Sequence, residues 1–210
     1  QKKVVEKFCV QIQSLVDNKK IKKFKLFTSM DTWGPHAEYA RFGLDLELFE
    51  TNLRNYLQTT DQPLTFMMTY NIFAIPQFTK LLEKILEWRK EFQSNHTDPQ
   101  MFHRIRFDVS YLKEPLQYDI NILPKEDFLP YLEKSLSFIE QNTNDNSKEK
   151  FSFMEYQRFL RIYEYMKNTH YEQSKVTEGR VDFYNFFAEH DKRRGTNLLR
   201  TFSELHTFWK

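Results

Sequence analysis

Cysteine is almost missing from this chain: one thiol, Cys9, in 210 residues. That excludes an intrachain disulfide framework and any metal centre built from this chain's cysteines alone, and it suits a reducing cytoplasm. Glycine is nearly as scarce, with 4 residues against 7 prolines. Neither GxGxxG nor GxxxxGK followed by Ser or Thr occurs, so glycine-rich phosphate loops are excluded. No apolar run reaches the length that crosses a bilayer, and no signal-peptide pattern opens at Gln1. A net charge of +2 lacks the strong basic footprint of a dedicated nucleic-acid binder. Neither a membrane nor a nucleic acid is expected as a partner.

What the chain has in quantity is aromatic side chains, 21 Phe and 11 Tyr, enough for one sizeable core or for one domain with an appendage. Apolar residues recur at helical spacing from Val4 to Val16, and Asp17-Asn18 ends that helix. The run Phe24 to Phe27 reads as a buried strand, and a helix follows from Leu44 to Leu57, acidic early and basic late. Leu64 to Asn71 is near-continuously apolar, as fully buried parallel strands are. Phe78 to Phe92 is helical, residues 96–100 form a polar loop, and Arg104 to Ser110 is a third strand. Helix–strand alternation of this kind predicts an α/β fold with a parallel sheet. After residue 112 the alternation stops, which predicts a second part, 113–210, built from helices at Lys125–Gln141, Phe151–Asn168 and Gly179–His190. Phe153, Tyr156, Phe159, Tyr163 and Tyr165 recur at helical spacing there and read as a core-facing stripe.

Chemistry is expected at the carboxyl end of the first strand, because loops of α/β folds converge there. Thr28, Ser29 and Asp31 stand at that end, Trp33-Gly34-Pro35 marks a loop, and Arg41 follows ten residues after Asp31, close enough to turn back over the same mouth. Arg106, Asp108 and Ser110 alternate and therefore share one face of the third strand, where Arg106 and Asp108 can pair with each other. Near the C-terminus, His190 to Thr196 is a dense polar cluster. Its basic trio either caps a helix ended by Gly195, with Thr196 starting the next, or reaches an anionic substrate. A hydrolytic metal site at Asp31, His36 and Glu38 is disfavoured: their spacing does not suit ligation, no HExxH or HxH is present, and His36 reads as a surface loop residue.

The segment Ser29-Met30-Asp31 with Arg41, and the tail Asp191-Lys192-x-Arg194-Gly195 followed by Phe202-x-Glu204-Leu205, resemble radical S-adenosylmethionine (SAM) enzymes of the twitch and SPASM branches. The resemblance implies that this chain is the later half of a partial (β/α) barrel, three parallel strands at 1–112, with a helical extension at 113–210. It implies Ser29 and Arg41 as ligands of SAM, Arg41 meeting its carboxylate, with Asp31 orienting them. It places Asn71 against the sugar or methionyl part, and Arg106, Asp108 and Ser110 near the adenine. Relatives cleave SAM at a 4Fe-4S cluster held by CxxxCxxC to give a 5′-deoxyadenosyl radical, drawing the electron from a donor such as flavodoxin or ferredoxin, and act on a peptide or small molecule. This chain has no such run and no auxiliary cysteines, so the cluster ligands are expected outside it and the 210 residues alone are expected to be inactive. A cluster-free α/β module that binds SAM or another nucleoside is the alternative. A half-barrel is expected to expose an unpaired sheet edge, prone to association.

Overall fold

Three short strands carry the fold: β1 (Leu26–Ser29), β2 (Leu64–Tyr70) and β3 (Ile105–Tyr111), all parallel, in the order β1-β2-β3. They are seen in a computed structural model, which describes residues 2–93 and 102–209; the polar loop expected at 96–100 lies outside the described residues. Around the sheet stand α1 (Lys2–Asp17), α2 (Pro35–Ala40), α3 (Leu46–Thr59), α4 (Phe78–Glu91), α5 (Lys125–Gln141), α6 (Phe153–Asn168), α7 (Gln173–Arg194) and α8 (Leu198–Thr201). The fold is α/β and the sheet does not close into a barrel. Among the described residues no helix is long and apolar enough to cross a membrane.

One face of the sheet is dry. Leu64, Phe66, Met68 and Tyr70 of β2 and Ile105, Phe107 and Val109 of β3 are buried on it. Phe66 stacks on Trp88 of α4 with ring centroids 5.5 Å apart, and Trp88 meets Trp33 edge-on. Tyr70 sits between Phe78 of α4 and Phe159 of α6, at 4.9 and 5.5 Å. Offset and edge-on aromatic contacts of this kind add to the stabilisation from area burial. The opposite face is open. Phe27, Ser29, Met67, Thr69 and Ser110 are exposed there, Met67 at 40% and Phe27 at 59%. The apolar run of β2 therefore covers a strand buried on one side only, which corrects the expectation of burial on both. Parallel sheets are normally covered on both faces, so the open one is the unusual feature of this fold.

The register sets that open face in tiers. Phe27, Thr65 and Arg106 are partners across the three strands, then Ser29, Met67 and Asp108, then Thr69 and Ser110. The outer edge of β3 is closed by α6. Ser152 and Glu155 form a capping box at its start, and Glu155 Oε1 also accepts from the Phe107 amide at 3.0 Å and from Arg89 at 2.6 Å. An edge amide that a further strand would take is thus paired by a carboxylate.

The helices after residue 112 complete the same core: Phe159, Phe183, Phe187, Phe202 and Phe208 belong to one cluster with the sheet. Of the expected stripe on α6, Phe159 is buried, whereas Phe153, in the first turn, is 53% exposed. Helix α7 runs from Gln173 to Arg194, ten residues beyond the expected Gly179–His190. Gly179 does not start it but lies inside it, because a Cβ there would stand 2.7 Å from Ile122 Cγ2 and 3.0 Å from Leu116. Gly195 ends it in the left-handed conformation at φ 65, which a glycine takes without steric cost. Asn197, not Thr196, caps α8, accepting from the Arg200 amide.

Candidate functional site

The strand mouth is organised by Asp31. The chain leaves β1 at Ser29, and Asp31 turns back onto β2, where its Oδ1 accepts from the Thr69 amide at 2.7 Å. Its Oδ2 accepts from Arg41 Nη2, also at 2.7 Å. The short helix α2, started by Pro35 after Gly34 at φ 72, turns the chain so that the ten-residue spacing becomes this contact. Arg41 keeps 37% of its side chain exposed, yet its Nε is shielded from solvent and has no acceptor among the described residues. Asp31 thus holds a partly exposed guanidinium at the mouth, and a planar fork of this kind matches a carboxylate.

Ser29 lies one tier below on the open face, exposed, with Asp108 two strands away. At about 4.8 Å per strand that separation is roughly 10 Å, the breadth of a nucleoside laid across the sheet. Asp108 does not take Arg106 as its partner, the pairing that their alternation allows. It meets Arg158 of α6 at 2.7 Å, while Arg106 Nε donates to the His103 carbonyl. The reason is α6, which stands beside β3 and supplies the nearer cation. Ser110 is exposed at the upper end of the same face. Asn71, just past β2, has its amide engaged locally: Nδ2 donates to the Thr69 carbonyl and Oδ1 accepts from the Phe73 amide, both at 2.9 Å. It shapes the turn at the mouth and keeps one N–H and one lone pair for a ligand.

The metal-site alternative does not assemble. Glu38 accepts from the Leu46 amide, Asp31 is tied to Arg41, and His36 is buried rather than on a surface loop, against Phe202 and 3.5 Å from Glu204. Among the described residues no group of three or more His, Cys, Asp and Glu side chains could hold a metal ion. Cys9, the one thiol, is fully buried on α1, and burial pushes its pKa up.

A second feature of the mouth comes from the far end of the chain. Tyr39 of α2 donates to Asp191 Oδ1 at 2.8 Å, and Asp191 also accepts from Thr196 Oγ1 and from the Leu198 amide, each at 2.6 Å. These bonds fix the α7–α8 corner against α2, and the last turn of α7 then overhangs Asp31 and Asn71. Between them is a cavity of about 180 Å³ walled by Phe73, Tyr118, Phe186 and Phe187, with His190 and Arg194 at its rim. Burial and the Asp191 carboxylate raise the Tyr39 pKa. Burial, followed by the Arg194 charge, lowers that of His190. His190 and Arg194 belong to the polar cluster that stood out in the sequence, but Tyr39, Phe73 and Tyr118 did not. Their only sequence signal was an aromatic residue two positions before Arg41 and another two after Asn71.

Comparison with known proteins gives no matching family model, no matching curated protein and no matching solved structure.

Proposed function

We propose that this chain is the SAM-holding half of a radical SAM-type partial barrel, acting on a peptide or small-molecule substrate at the strand mouth. The observation that carries the reading is the open face of the parallel sheet, with Ser29 on it and the Asp31–Arg41 pair at its carboxyl end. The exposed part of the Arg41 guanidinium, held in place by Asp31, fits the carboxylate of a methionyl group, and Ser29 is exposed below it to meet the same end of SAM. Ser110 and Asp108 stand across the face where the nucleoside would lie, and Asn71 borders the mouth. When bound beside a reduced 4Fe-4S cluster, SAM supplies hydrogen-abstraction chemistry, with flavodoxin or ferredoxin as the class of electron donor.

The cluster itself does not fit these residues. Cys9 is alone and buried, and the described residues hold no ligand set. The alternative on the same site is a SAM or nucleoside module that works without iron. Isothermal titration of the iron-free protein with SAM tests the shared part. Saturable binding is expected, with Arg41→Ala weakening it by about tenfold or more, since a charge-assisted pair is lost. No binding, or an Arg41→Ala variant that binds as tightly, would overturn the assignment of SAM to this face.

A further inference from the structure

Under the overhang of α7, one cation at the mouth has no countercharge among the described residues. Arg193 and Lys192 are engaged by Glu189 on the outer side of the helix, and Arg41 by Asp31. Arg194 has no carboxylate within ion-pair distance among the described residues. Its guanidinium lies over the Phe42 ring, 4.7 Å from the centroid. An arginine stacked on a ring keeps its in-plane donors free for an anion. Its charge acts on both His190 and Tyr118, and it lines both the cavity and the groove outside it while remaining exposed.

Behind it the cavity is aromatic. Phe73, Tyr118, Phe186 and Phe187 line it, with Phe73 meeting Phe187 edge-on at 4.8 Å and Tyr118 meeting Phe187 at 5.6 Å. The volume, about 180 Å³, takes a group of benzene-ring size. The carboxylate of Asp31 also lines this space, but its two oxygens already accept from Arg41 and from the Thr69 amide. A groove of about 580 Å³ past Gln117, Asn185 and Arg193 shares Phe186, His190 and Arg194 with the cavity.

We infer that this mouth is the substrate site, and that it takes a compact aromatic or apolar group bearing a carboxylate, the ring among Phe73, Tyr118 and Phe187 and the anion on Arg194. The inference deepens the SAM reading and rests on it for the reaction, but the binding claim stands on the cavity alone. Arg194 is then a specificity residue: it selects charge, and the aromatic wall selects shape.

The probe is phenylacetate, with benzyl alcohol as its neutral counterpart, titrated into the whole protein without SAM and followed by chemical-shift changes. Saturable binding of phenylacetate is expected, at least about tenfold tighter than that of benzyl alcohol. Arg194→Gln should remove the preference, and Arg194→Lys should keep part of it. Arg194 is exposed, so neither variant disturbs the core. Ser29→Ala should leave phenylacetate binding unchanged while weakening SAM. Equal binding of the two probes, an Arg194→Gln variant that still prefers the acid, or no saturation would each overturn the inference. If phenylacetate binds in this way but SAM does not, the substrate site stands and the SAM reading fails; the converse result fails the substrate site alone.

Discussion

At the scale of single residues, Glu155 carries the greatest responsibility for its size. One oxygen takes Arg89 and the Phe107 amide; the other takes the Ser152 amide in the capping box. Arg89 is 1% exposed and Glu155 4%, so removing the carboxylate strands a buried cation, an edge amide and a helix start together. Breaking a buried ion pair from one side costs about 3–5 kcal/mol, more than the pair contributes against an apolar replacement. Glu155→Ala should therefore lower the unfolding free energy by about 3 kcal/mol or more in urea titrations. A loss under about 1 kcal/mol, the size of an exposed pair, would show that the charge reaches water. No local pattern hints at this role: Glu155 follows Ser152 by three, which reads as an ordinary capping box, and its partners are distant in the chain.

At the scale of elements, the strands and most helices were legible because their periodicity is local. β1 begins and ends two residues later than the apolar run Phe24–Phe27 suggests, since Thr28 and Ser29 look like a polar stop; they are polar because Ser29 faces the open side. Helix α7 exceeds its local pattern for a related reason, glycine and charge both reading as punctuation. Gly179 instead marks a close crossing over Ile122 and Leu116. Two effects of Gly179→Ala oppose each other there. Helix propensity favours alanine by about 1 kcal/mol, whereas overpacking a tight contact costs about 1–3 kcal/mol. Ile122 is fully buried and its methyl has little room to retreat, so the packing cost should win. A lower melting temperature for Gly179→Ala is expected; a higher one would mean that the crossing relaxes. The Asp31–Arg41 contact was legible from spacing, but the bond of Tyr39 to Asp191, 152 positions apart, has no local trace.

At the scale of the whole molecule, acid is the predicted weakness. His36, His103 and His190 come from different parts of the chain, and burial is the first cause lowering the pKa of each below the ordinary 6.5. The sign follows from which state holds more protons. Below 6.5 the unfolded chain protonates these imidazoles while the folded one resists, so the stability present above that value is lost as pH falls through the folded pKa values. The urea midpoint should decline between about pH 7.5 and about pH 5.5, before ordinary carboxylates titrate. A flat midpoint over that range would mean that the three rings are solvated enough to charge in place.

The position of Asp31 has a consequence of a different kind. The same carboxylate aims Arg41 at the open sheet face and lines the cavity under α7. Two molecules bound on its two sides would share one charge and one orientation, so neither equilibrium is independent of the other. Linkage then requires that whatever factor the first ligand imposes on the affinity of the second, the second imposes on the first. Order of arrival at the mouth would thus be a matter of rates, while the doubly filled state would have a single free energy however it was reached.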